Sequence, residues 1–223
     1  MSRPSICRRE LIVTGSIFGI SSRTEKRESR EKIAKCRQKE NETGLPKTYS
    51  FYRTPLEDYF KTRGMRFNFK QSLHAKAHAA AKRGETLRVL DVGVGTGEQW
   101  LQFLKDHPNI ELSATSLTRN GLHPDIAPRT KITTAATLSH HYPEKHFDVV
   151  ISHFGMHGQE QTGAEQMLHV LKPGGHAWLR TTPKLDLNAF QKLAEVLKHY
   201  DSTSGIASAI ARLRKRRLPT AAR

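Results

Sequence analysis

The sequence predicts an α/β fold, and three stretches carry that expectation. They are LRVLDVGVGTG at residues 87–97, HFDVVIS at 146–152, and LKPGG at 171–175 running into HAWLRT. In the first, Leu87, Val89, Leu90 and Val92 form a short apolar run with β-branched content, the pattern of a buried central strand. The acid Asp91 lies within that run, and Gly93, Gly95 and Gly97 follow at alternate positions. Glycines accept positive φ and let a ligand approach the backbone closely, which suits a strand that turns sharply into a helix. After the loop, Trp100, Leu101, Phe103 and Leu104 give a helical apolar face, and His107-Pro108 stops it.

The glycine spacing discriminates between ligands. A dinucleotide fingerprint requires G-x-G-x-x-G, and Glu98 stands at the third position of that frame. The frame that fits is acid-x-Gly-x-Gly-x-Gly, filled by Asp91, Gly93, Gly95 and Gly97. This resembles motif I of the class I S-adenosylmethionine-dependent methyltransferases. The resemblance implies that the loop wraps the methionyl part of the cofactor, with the acid helping to hold its ammonium group. An acid beside the glycines also suits a cationic ligand better than a pyrophosphate, because like charges repel.

The other two stretches extend the resemblance. Phe147-Asp148 ahead of an apolar strand is similar to the run after motif I in this family, and LKPGG before a strand is similar to its helix-to-strand reversal. Proline cannot continue a helix, and the glycines supply the tight turn. The implied architecture is a three-layer Rossmann-like methyltransferase sandwich on a mostly parallel sheet. The cofactor, S-adenosyl-L-methionine, would lie over the carboxyl ends of the first two strands. Ser116 and Leu117 would then border its ribose and adenine, with Thr137 and Ser152 at the ends of the third and fourth strands.

Two departures accompany the likeness. At the end of the second strand, over 110–118, the family carries an acid for the ribose hydroxyls, and Ser116 stands there. Losing a charged hydrogen bond weakens binding by about 1–3 kcal/mol. After the third strand, at 131–134, Ala135, Ala136 and Thr137 replace a second acid. No Asn-Pro-Pro-aromatic run follows the fourth strand, so methylation of exocyclic amino groups of bases or of glutamine amides loses ground. His157, one helical turn after His153, is the candidate general base, since an imidazole titrates near working pH. The core holds no cysteine, which removes covalent attack on cytosine.

Flanking regions follow from composition. The chain of 223 residues carries 37 Lys and Arg against 21 Asp and Glu, and the surplus concentrates at the ends. Residues 1–48 read as a basic, largely disordered arm. Residues 49–200 read as the methyltransferase-like domain, with its core at 87–182, and residues 201–223 as a basic tail. Within 49–69, aromatics alternate with basic residues and could stack on bases or pack on the sheet as a cap. A helix is expected over 72–83, capped by Ser72 and ended by Gly84. Its His74 and His78 sit one turn apart, with no third metal ligand in view. A further helix is expected over 185–200, and with no β-rich run after it, strands six and seven look missing or replaced. RLRKRR at 212–217 reads as a nucleic-acid patch, a targeting signal or a flexible tail.

Cys7 and Cys36 are the two cysteines, which speaks against a disulfide scaffold. No stretch reaches the ~20 apolar residues that span a bilayer. A cytoplasmic chain is expected, with a mitochondrial presequence as the alternative. The functional expectation is methyl transfer to an unidentified acceptor. Its rival is a degenerate methyltransferase-like protein that docks on RNA or an acidic partner through basic arms.

Overall fold

The structure is a computed structural model that describes residues 55–60, 68–156, 159–181, 185–201 and 208–216, with backbone alone for 197–201 and 208–209. All of these lie in the compact unit that spans Thr48–Arg223. The expected arm at 1–48, and the candidate base His157, fall outside the described residues.

Seven strands form one sheet in the order β3-β2-β1-β4-β5-β7-β6. They are β1 (Leu87–Val92), β2 (Ile110–Ser116), β3 (Thr130–Ile132), β4 (Phe147–His153), β5 (Leu171–Thr181), β6 (Ala194–Asp201) and β7 (Ser208–Lys215). The first five run parallel, and β7 lies antiparallel to both β5 and β6. β1 is central and nearly wholly buried, as its continuous apolar run requires of a parallel strand covered on both faces.

Side-chain alternation divides the core into two layers. Leu87, Val89, Val149, Ile151, Trp178 and Ile210 pack under α1 (Phe69–Lys82) and α2 (Leu101–Asp106). Leu90, Val92, Val150, Ala177, Leu179, Ala211 and Leu213 pack on α3 (Glu160–Val170) and a 3-10 turn over Ala135–His140. The three-layer sandwich is therefore present. As expected, Pro124 and Pro128 leave only a 3-10 turn, Ala127–Arg129, between β2 and β3.

Three expectations need correction. α1 begins earlier than Ser72: Asn68 is its cap and accepts the Gln71 amide at 3.0 Å. The helix expected over 185–200 is a 3-10 turn, Asn188–Phe190, followed by strand β6. Strands six and seven are both present, and Ser208–Lys215 belongs to the sheet, not to a tail.

The physical reason is visible in β7. Its residues alternate, with Ala211 and Leu213 in one core layer and Ile210 in the other. The strand is wedged between β6, its hairpin neighbour, and β5, which lies further back in the sequence, so its ladder hydrogen bonds come from two other strands. At the end of the run, Lys215 gives its ammonium to the carbonyls of Leu168 and Leu171 at 2.8 and 2.9 Å, around the C-terminus of α3, where a cation is favoured.

Candidate active site

The carboxyl ends of β1, β2 and β4 meet at the glycine loop. Gly93, Gly95 and Gly97 all have positive φ, +81°, +67° and +78°. Two of these positions are also fixed by close packing. A Cβ on Gly93 would strike the backbone of Gly155 in the loop after β4, and one on Gly97 would strike the Ile126 side chain. The loop is anchored by Thr115, whose carbonyl accepts the amides of Gly93 and Val94 at 3.1 and 3.0 Å. The N–H groups of Gly95, Thr96 and Gly97 meet no acceptor among the described residues. Successive free amides in a turn of this kind form a cradle for an anion such as a carboxylate.

Asp91 lies beneath the loop, 1 % exposed. Its Oδ2 accepts the indole N–H of Trp100 at 2.7 Å, while Oδ1 is buried without a hydrogen-bond partner. Burial raises its pKa to about 7, and the Trp100 hydrogen bond opposes the rise. An under-satisfied buried carboxylate is costly unless a cation completes it. The site thus holds an unpartnered carboxylate oxygen beneath a loop that carries unpartnered amides.

An aromatic wall closes one side, and the sequence indicated it only in outline. Tyr59 stacks on His153 with ring centroids 4.6 Å apart. Phe60 meets the same imidazole edge-on at 5.7 Å, and Phe69 packs on both Tyr59 and Phe60. Gln99 donates from Nε2 to the Tyr59 hydroxyl and to the Val94 carbonyl, each at 2.8 Å. Tyr59, Phe60 and Phe69 therefore follow the packing alternative, since all three are buried. Burial foremost, and then the Arg180 charge, lowers the His153 pKa to about 3, so the ring is neutral. Phe60 and Phe154, each in edge contact with the His153 ring, both hold positive φ, +58° and +65°, a conformation that bulky residues keep only where surrounding contacts enforce it.

The remaining predicted residues are placed as follows. Ser116 spends its hydroxyl locally, donating to the Thr118 carbonyl at 2.8 Å and accepting the Thr118 amide at 3.3 Å. Leu117 is 48 % exposed, and Ile132, at the end of neighbouring β3, is 41 % exposed. Thr137 shares its hydroxyl with those of Thr133 and Thr134 at 2.8 and 3.1 Å. Ser152 is fully buried and accepts the Gly155 amide at 3.1 Å, which folds the β4 loop down onto Gly93. Its hydroxyl shapes the loop. His74 and His78 stack on α1, and His74 Nδ1 lies 3.0 Å from His107 Nε2.

The fold is of the α/β class, with the glycine loop at the carboxyl end of its central strand. Residues 90–179 match the family model described as a methyltransferase domain. A curated relative from Pedobacter heparinus, a tRNA1(Val) (adenine(37)-N6)-methyltransferase, is 30 % identical over 82 residues, 33 % of this chain. The chain spans about a third of that relative's length, 35 %. Among solved structures, an rRNA methylase from Streptococcus thermophilus is 13 % identical with a TM-score of 0.46, covering 65 % of this chain and 96 % of its own. The N-methyltransferase NodS from Bradyrhizobium japonicum is 13 % identical with a TM-score of 0.42, covering 66 % and 97 %. No helix among the described residues is long and apolar enough to cross a membrane.

Proposed function

We propose that the protein is an S-adenosylmethionine-dependent methyltransferase. The observation that carries this reading is the unpartnered, buried Oδ1 of Asp91 beneath a loop whose Gly95, Thr96 and Gly97 amides are free. When bound, S-adenosylmethionine supplies an electrophilic methyl group on a sulfonium. Asp91 would accept from the ammonium, and the three amides would donate to the carboxylate. Leu117, exposed at the end of β2, would lie against the adenine. Ser116 commits its one donor and one of its two lone pairs to Thr118, which leaves a single acceptor site for the ribose, so the nucleoside end would be held mainly by apolar contact.

In-line methyl transfer depends chiefly on positioning. Neutral His153, stacked on Tyr59 and met edge-on by Phe60, is a rigid wall against which an acceptor would be aligned. The acceptor is an O, N or C nucleophile. The relative's adenine N6 chemistry is not carried over, because Ser152-His153-Phe154-Gly155 occupies the end of β4 where an Asn-Pro-Pro-aromatic run would stand.

Titration calorimetry with S-adenosylmethionine and S-adenosylhomocysteine on the wild type and Asp91→Ala tests the proposal. Micromolar binding by the wild type, lost in the variant, is expected. Undetectable binding by the wild type overturns it.

A further inference from the structure

The stretch RLRKRR, placed in the sheet, yields a surface that its sequence alone does not show. Arg212 and Arg214 lie two apart on β7 and so project to the same face, about 6.6 Å apart along the strand. Their register partners on β5 are Trp178 and His176. From α1, Lys76 reaches the same place, with its Nζ 3.0 Å from His176 Nδ1 and 5.8 Å from the centre of the Trp178 ring. Three fixed cations and an imidazole thus share one patch between α1 and the antiparallel edge of the sheet.

Acidic compensation at the patch is slight. Among the described residues, Glu195 is the acid within ion-pair distance, 3.9 Å from Arg214, with both side chains more than half exposed. Such a pair contributes little. Asp148 acts on Lys76 from further away, and it is already bound to Lys172 at 2.7 Å. Mutual repulsion registers at both inner groups. Burial first, then Arg212 and Arg214, lowers the Lys76 pKa. Burial, Lys76 and the same two arginines bring His176 to about 4. Cations crowded in this way are relieved by an anion.

We propose that Lys76, Arg212 and Arg214 form a docking surface for the phosphate backbone of RNA. Planar guanidinium forks match phosphate oxygens bidentately, and a compact ammonium serves as a point charge beside them. The two arginines follow one another along a rigid strand, as the phosphates of a nucleic-acid strand follow one another along its backbone. Trp178 is buried, 1 % exposed, so the patch reads backbone charge and does not stack on bases. The surface stands apart from the glycine loop and does not depend on the cofactor reading.

The test uses the full chain and fluorescence anisotropy of a labelled single-stranded RNA of mixed sequence, from about 50 to 200 mM salt. The triple variant Lys76→Gln, Arg212→Gln, Arg214→Gln is expected to bind about tenfold or more weakly. Its log–log salt slope should be shallower by about two, as three lost phosphate contacts imply. A control that removes three cations outside the patch, Arg83→Gln, Arg88→Gln and Lys145→Gln, should bind nearly as the wild type does. If the triple variant fails to fold by circular dichroism, Arg214→Gln alone, at an exposed site, should reduce the slope by about 0.7. An unchanged slope, an equal loss in the control, no RNA binding by the wild type at low salt, or displacement of RNA by polyglutamate at equal charge overturns the proposal. Calorimetry with S-adenosylmethionine on the triple variant should match the wild type, which separates this surface from the cofactor site.

Discussion

Trp100 gives its indole N–H to one carboxylate oxygen of Asp91 at 2.7 Å and leaves the other oxygen buried without a partner. The two residues lie on either side of the glycine loop, so the hydrogen bond ties the end of β1 to the start of the next helical segment. It also orients the carboxylate, with one oxygen held and the other available. Burial outweighs that hydrogen bond and brings the carboxyl to about pH 7, far above its ordinary value of 3.8.

A pH dependence follows with a definite sign. Between about 4 and 7 the folded protein binds a proton at Asp91 that the unfolded chain does not. The stability from this group is therefore fully present below about pH 4, falls as pH rises to about 7, and is constant above. A cationic ligand has the opposite preference, because it needs the ionised carboxylate. Affinity for S-adenosylmethionine should rise about tenfold per unit up to pH ~7 and then flatten, until the ligand's own α-amino group loses its charge near 8. Calorimetry across pH 5–8 on the wild type and Asp91→Asn checks this; the variant should bind weakly, with no rise through pH 7.

Trp100→Phe keeps most of the buried ring and removes the donor. The carboxylate loses its one hydrogen bond, so the Asp91 pKa should move further up and the affinity rise should shift to higher pH. Loss of a hydrogen bond to a charged group should also cost about 1.5–3 kcal/mol of stability, read by urea denaturation. A shift of the affinity profile without that loss would mean that Trp100 acts only on the ligand.

Glycines with similar φ should respond unequally to alanine. Gly84, at +68°, has nothing within 4 Å of an added Cβ, so Gly84→Ala should cost only the left-handed penalty of about 1–2 kcal/mol. Gly93→Ala adds a collision with the Gly155 backbone to the same penalty, and the β4 loop must move. A cost of about 3 kcal/mol or more is expected, with loss of cofactor binding. Denaturation midpoints of the two variants make the comparison directly.

The edge of the sheet offers a test of the corrected architecture. Leu213 is fully buried and Leu193 is 58 % exposed, whereas a helix over 185–200 would turn Leu193 inward. Leu213→Ala should cost about 2–5 kcal/mol, and Leu193→Ala within about 0.5 kcal/mol of nothing. Equal costs would contradict the wedged strand.

That misreading shows where legibility ends. Residues 87–97 and 146–152 were readable because their glycines or apolar run dictate the local course of the chain, whereas 171–175, expected as a turn, already lies in β5, where the register with β4 shifts between Phe147 and Val149. The structure also joins all three through one side chain, since Asp148 accepts the Arg88 amide at 3.0 Å and binds Lys172 at 2.7 Å. Leu187, Phe190, Leu193 and Leu197 sit at helical spacing, but the ladder that makes 194–201 a strand comes from β7, whose own partner is β5. Local periodicity contains neither pairing. The site divides in the same way: Asp91 and its glycines were evident from spacing, whereas Trp100 read as part of a helix face, and only the fold brings its indole to the acid.

The nucleoside end supplies the last expectation. Ser116 stands where an acid would take the ribose hydroxyls, and its hydroxyl is committed to Thr118. Ser116→Ala should therefore leave S-adenosylmethionine affinity nearly unchanged while costing about 1 kcal/mol of stability for the lost turn hydrogen bonds. Ser116→Asp keeps an acceptor for the Thr118 amide and adds a charged oxygen at the strand end. A bidentate, charge-assisted contact to a diol is worth about 1–3 kcal/mol, so binding should tighten by roughly fivefold to a hundredfold. Adenosine alone should gain by a similar factor, because the new contact touches no part of the methionyl group. Tightening for S-adenosylmethionine without any gain for adenosine would place the new carboxylate against the ammonium instead, and the assignment of Ser116 to the ribose would then be wrong.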